Sequence, residues 1–109
     1  MNQPLQITFR GMAPSEAVRE RIEEYAQKLE QFCDRILTCR VVVEEPHRSH
    51  QQGNHFHVRV AMAVPGRNIV VDRAPDEAAL FEDPYATLHD AFDAACRQLK
   101  EYTRYVRRH

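Results

Sequence analysis

Apolar and polar residues alternate along short stretches of this chain and recur at three- and four-residue steps along two longer ones. Leu5, Ile7 and Phe9 alternate with Gln6, Thr8 and Arg10, the period of a strand buried on one side. Gly11 and Pro14 end that strand, and Ser15 with Glu16 suits a helix start, since a cap oxygen and an early carboxylate both complement the N-terminal dipole. Val18, Ile22, Tyr25, Leu29 and Phe32 then share one helical face, which predicts a helix from Ser15 to about Cys33. The β-branched run Ile36 to Glu44 predicts a second strand, ended by Pro46. His47 to Gly53 reads as a connecting loop. Phe56, Val58, Val60 and Met62 alternate with His55, His57, Arg59 and Ala61 in a third strand. Pro65 and Gly66 suit the centre of a type II turn, and Asn68 to Asp72 forms a fourth strand. Ala74 to Glu82 is acidic and irregular. Asp83 then caps a second helix with Pro84 at its first position. Its apolar stripe is Tyr85, Leu88, Phe92, Cys96, Leu99, Tyr102 and Val106.

The predicted order is β-α-β-β-β-α. A strand, a helix and a second strand favour a parallel pair through a crossover, and strands two to four favour an antiparallel meander. The expected fold is therefore α+β, a two-layer sandwich whose four-stranded mixed sheet carries both helices on one face, like a double-stranded-RNA-binding domain. At 109 residues the whole chain, 1–109, reads as one domain.

Composition narrows what that domain does. The formal net charge is −1, so any anion-binding surface is a local patch rather than a field over the whole protein. One such patch is visible. Arg97, Lys100, Arg104, Arg107 and Arg108 step along the second helix beside its apolar stripe, and a row of guanidinium and ammonium groups suits a polyanion. A second follows from strand parity. If the apolar side of strand three faces the helices, then His55, His57 and Arg59 face outward, with Arg40 and Arg10 on the same sheet face. Either set has a plainer reading as a solvated surface.

Other chemistries fit less well. His55 and His57 fall on one strand face, about 6–7 Å apart, and His47 and His50 precede them. Structural metal sites need about four tightly spaced ligands, so no metal is expected here. Cys33, Cys39 and Cys96 lack close pairing and read as reduced thiols of a cytoplasmic protein, the first and last of them on apolar helix faces. No Gly-rich phosphate loop, metalloprotease signature or nucleophile elbow is present, so neither a catalytic residue nor a cofactor or small-molecule substrate is predicted. No apolar run reaches the length of a membrane helix, and Met1 to Phe9 does not resemble a signal peptide.

Several segments together resemble the ribosome hibernation-promoting factors, also called ribosome-associated inhibitor or sigma-54 modulation proteins. Val18-Arg19-Glu20-Arg21-Ile22-Glu23-Glu24 with Lys28-Leu29-Glu30 and Phe32 is similar to the family's first helix, and Asp34-Arg35-Ile36 carries the match into strand two. Pro84-Tyr85-Ala86, Leu88, Asp93 and Arg97-Gln98-Leu99-Lys100 resemble its closing helix. Gln52 to Val60 with Val64-Pro65-Gly66 resembles a branch with a His-rich hairpin. The resemblance implies binding to the small ribosomal subunit through rRNA, in the channel of messenger and transfer RNA, and an inhibitor of translation that holds idle ribosomes inactive. Carried over by position, the family's contacts fall on Lys28, Arg97 and Lys100. Tyr25, Gln31 and Ala94 stand where the family commonly has Lys. Long members continue into a dimerisation domain, and this chain resembles a short form.

The expected RNA contacts are thus Lys28, Arg97, Lys100, Arg104, Arg107 and Arg108, followed by Arg40, His57 and Arg59. The rival expectation is a protein-interaction or regulatory module of the same fold with little ribosome affinity.

Overall fold

The computed structural model describes residues 1–45, 56–75 and 85–108. The loop expected at His47–Gly53, His50, His55 and the Asp83–Pro84 helix start lie outside them, as does most of the acidic stretch.

The elements follow the predicted order: β1 (Gln6–Arg10), α1 (Glu16–Phe32), β2 (Thr38–Glu44), β3 (His57–Val64), β4 (Arg67–Arg73) and α2 (Ala86–Arg108). The sheet order is β1-β2-β3-β4. β1 and β2 run parallel, while β2–β3 and β3–β4 are antiparallel. The register aligns every apolar row. Ile7 lies opposite Val41, Val41 opposite Val60, and Val60 opposite Val71. One row along, Phe9, Val43 and Val58 line up. Because side chains alternate between faces, this pairing places all of these residues on a single side.

That side is the core. Cys39, Val41, Val43, Val58, Val60, Met62, Ile69 and Val71 are buried beneath both helices. α2 lies over β3 and β4, and α1 packs beside it. The Arg19 guanidinium of α1 sits 5.6 Å from the Phe9 ring centre of β1, so α1 covers the other half of the sheet.

Local chemistry sets the ends of these elements. Ser15 adopts extended geometry as the α1 N-cap and accepts a hydrogen bond from Val18 N at 3.3 Å. Gly66, at φ +81°, occupies the position where a type II turn needs positive φ. The β3–β4 turn is also tied to α2, because the Tyr102 hydroxyl donates to Pro65 O at 2.8 Å. Ile36 is fully buried although it precedes β2, so its apolar character reflects core packing rather than strand pairing.

The helices differ from their predicted apolar faces. In α1 the buried residues are Val18, Ile22, Ala26 and Leu29. Tyr25 is only partly buried and Phe32 is 46% exposed, because both sit on the flank turned toward α2 rather than toward the sheet. In α2 the seam against the sheet includes Ala91, Ala94 and Ala95 alongside Leu88, Phe92, Leu99 and Tyr102, while Cys96 and Val106 are only half-buried. Small residues let the helix lie close on a flat β-branched surface. Tyr85, the first residue of the predicted apolar stripe, packs toward α1, with the Arg21 guanidinium 4.4 Å from its ring centre.

Ala91 is fully buried on this seam. Ala91→Leu is expected to destabilise the protein by about 1–3 kcal/mol through overpacking. The thermal midpoint should drop by at least ~4 °C, read by circular dichroism; an unchanged midpoint would contradict the seating of α2.

Candidate nucleic-acid interface

The sheet separates the candidate cations into two sets. Lys28, Arg97, Lys100, Arg104, Arg107 and Arg108 are exposed on the helical layer. Arg40, Arg59 and the half-buried His57 lie on the opposite, uncovered face of the sheet. Among the described residues no continuous patch joins them, because the core lies between.

The two faces also differ in charge balance. On the open sheet, Arg10 pairs across to Glu44 and Glu44 to His57, while Arg59 pairs across to Asp72. Opposite charges at directly paired positions largely cancel one another. Arg10, Val42, Glu44, His57, Arg59 and Asp72 line a shallow depression of about 310 Å³ with mixed charge. Such a surface attracts neither sign strongly.

The outer face of α2 is different. Arg97, Lys100, Arg104 and Arg107 recur at steps of three and four residues, which keeps them on one helix face, and Arg108 flanks them. Among the described residues none of these five is in an ion pair; the pairs found there are Met1–Glu30, Arg19–Glu16 and Arg73–Asp90. Asp93 lies one turn before Arg97, and Glu101 is flanked by Lys100 and Arg104. Arg107 and Arg108 fall in the last turn, where cations also complement the helix dipole.

Lys28 joins this face from α1. Tyr25 stacks on Phe92 across the helix–helix seam, with ring centres 5.0 Å apart and planes 14° from parallel. The Tyr25 hydroxyl also lies 3.3 Å from His89 Nδ1. This seam brings Lys28, whose Nζ is 5.9 Å from the Tyr25 ring centre, alongside α2. At the far end of the seam the Lys100 Nζ sits 4.5 Å from the ring centre of Phe32.

Ala94 is 2% exposed and belongs to the sheet-facing seam, so a lysine there would not extend the outer cationic face. The absent charge at 94 therefore says nothing about that face, whereas Tyr25 and Gln31 do lie outside the core. Periodicity alone underrated Tyr25 and Phe32, which looked like ordinary core residues. It also missed Arg67, whose guanidinium lies 5.5 Å from the Tyr102 ring centre and 5.3 Å from that of Tyr105, on the helical side of β4. Arg67 opens the strand paired with Val64, which puts it on the same sheet face as the core.

Nucleophilic chemistry finds no support among the cysteines. All three are free, and Cys33 and Cys39 are buried. Burial, and then the negative charge of Glu30, pushes the Cys39 thiol up to about 11 from an ordinary 9.0. A thiolate is therefore disfavoured at this site. Among the described residues no group of His, Cys, Asp and Glu side chains is placed to hold a metal ion, and no helix is long and apolar enough to cross a membrane.

This one-sided α+β sandwich is shared with known proteins. The family described as sigma 54 modulation protein / S30EA ribosomal protein matches residues 5–107, and the chain belongs to it. This is a family of ribosome-associated factors rather than of enzymes. Over 107 residues the chain is 33% identical to the ribosome hibernation promotion factor of Deinococcus radiodurans, covering 96% of this chain and 52% of that one. It thus spans about half the length of the curated relative it matches. Two solved structures share the fold. A ribosomal subunit interface protein from Coxiella burnetii superposes with a TM-score of 0.71 at 21% identity, over 91% of this chain and 96% of its own. The N-terminal domain of Thermus thermophilus Protein Y superposes with a TM-score of 0.68 at 20% identity, over 94% and 99%.

The Cys39 thiol gives a pH signature. Below pH 9 it is protonated in folded and unfolded chains alike. From 9.0 to about 11 the unfolded chain releases the proton while the folded chain keeps it, so stability declines as pH rises through that window. Urea denaturation at pH 8 and pH 10.5 should show a larger loss for the parent than for Cys39→Ala. Equal losses would contradict the buried, protonated thiol.

Proposed function

We propose that this chain binds the small ribosomal subunit through rRNA, inhibits translation and stabilises idle ribosomes in the cytoplasm, the described sandwich acting as a single ribosome-binding domain. The carrying observation is the row Arg97, Lys100, Arg104, Arg107 and Arg108, unpaired among the described residues, on the outer face of α2 with Lys28 alongside. Membership of a family of ribosome-associated factors, and the hibernation-factor relative, support the same reading.

The chemistry is phosphate neutralisation. Each cation that meets a phosphate releases condensed counterions, and the gain falls as salt rises. Arg suits this task because its planar fork grips a phosphate through two hydrogen bonds. The row is rigid because the opposite side of α2 is buried against β3 and β4. Its spacing is therefore set before RNA arrives, which reduces the entropy lost on docking. Arg40, His57 and Arg59 make a weaker second contact, since Glu44 and Asp72 offset them.

Co-sedimentation with small ribosomal subunits tests the proposal. With about six phosphate contacts, affinity should fall roughly a thousandfold between about 50 and 200 mM salt. Arg97→Glu with Lys100→Glu should abolish pelleting while changing stability by no more than ~0.5 kcal/mol, as expected for exposed positions. No pelleting would instead support the rival reading of a regulatory module without ribosome affinity, and salt-insensitive pelleting would overturn phosphate neutralisation as the mechanism.

A further inference from the structure

We propose that the groove between α1 and α2 is a stacking site for one unpaired RNA base, received on the exposed ring of Phe32. The inference rests on the reading that this helical face meets RNA, and it adds a contact that charge alone does not supply.

Phe32 is the last residue of α1, and 46% of it is exposed. It is out of place as core: the apolar seam of α1 runs through Val18, Ile22, Ala26 and Leu29. Among the described residues the Lys100 ammonium lies over this ring, 4.5 Å from its centre. A cation resting on an aromatic face is held weakly at an exposed site. It is easily displaced by a base, which offers a larger planar surface.

The surroundings match a nucleotide in shape and charge. Tyr25, Leu29, Phe92 and Cys96 floor the groove, and Lys28 and Phe32 form its α1 wall. Its volume is about 150 Å³, suited to one planar ring and not to a helix or a folded peptide segment. Lys28 lies one turn before Phe32 on α1, and Lys100 lies across the groove on α2. A base on the ring would thus have an ammonium on either side for its flanking phosphates. Asp93 is the single acidic residue lining the groove and lies two turns before Lys100 on α2, leaving the Phe32–Lys100 end for the phosphates. Stacking of this kind is tolerant of base identity, because each base has a π-face. A single-stranded segment rather than a duplex is implied, since a base must be free of its stack to enter.

The test compares two fluorescein-labelled probes of equal charge, a decauridine and a decamer of abasic nucleotides, by anisotropy. The parent should bind decauridine about tenfold to a hundredfold more tightly than the abasic probe, the range expected for one base stacked on one ring. Phe32→Ala and Phe32→Leu should erase most of that preference while leaving the salt slope unchanged, because no charge is lost. Phe32→Tyr should retain it. The exposure of Phe32 means that these variants keep the parent's circular dichroism and thermal midpoint, which is checked alongside. Equal binding of the two probes by the parent, or an undiminished preference in Phe32→Leu, would overturn the stacking site. Co-sedimentation with small subunits separates this from the broader reading. A parent that pellets with subunits in a salt-sensitive way but shows no preference for decauridine loses the stacking site alone. A parent that prefers decauridine but does not pellet keeps the stacking site and loses the ribosomal assignment.

Discussion

One constraint governs this molecule: its sheet has a single apolar side, and both helices must cover it. The rows Ile7–Val41–Val60–Val71 and Phe9–Val43–Val58 are in register, so the middle of the inward face is apolar, with Arg67 and Arg73 at the two ends of β4. A slip of one residue in β2 or β3 would send Arg40 or Arg59 into the core and a valine row into water. Desolvating an unpaired guanidinium costs far more than any alternative packing returns. The register therefore has no competitor, and the placement of everything else follows from it.

The first consequence is a division of charge. The uncovered sheet face carries Arg10, Arg40 and Arg59 among Glu44 and Asp72, whose cross-strand positions offset them. The outer line of α2 carries five cations, Arg97, Lys100, Arg104, Arg107 and Arg108, against Asp93 and Glu101. A near-neutral protein thus presents one surface able to hold a polyanion. The buried seam on the other side of α2, rich in alanine, keeps that line stiff and close to the sheet.

The second consequence concerns the aromatics. Tyr25 and Phe32 have the spacing of core residues, and the apolar period of α1 includes them. A helix shared between a sheet and a neighbouring helix has two apolar directions, however, and a one-dimensional period cannot say which residue serves which. The Tyr25–Phe92 stack and the Lys100–Phe32 contact belong to the helix–helix direction. The same ambiguity hid the burial of Ala94, because alanine is silent in a hydrophobic pattern, and it hid Arg67, which reaches Tyr102 and Tyr105 only because α2 crosses β4. By contrast the element order, the Ser15 cap and the positive φ of Gly66 were legible, since each depends on residues within a few positions of one another.

By itself the sequence determined the secondary elements, the inward side of each strand and the cationic period of the last helix. Those are properties of local spacing, and hydrophobic burial reads spacing directly. Only the tertiary structure decided that the two cationic sets lie on opposite sides of the sheet, that the one on α2 lacks ion-pair partners among the described residues, and that Lys28 and Phe32 line one groove with Lys100 resting on the Phe32 ring. Those facts depend on how distant segments are brought together, and that is set by the shape of the packed core rather than by any period along the chain.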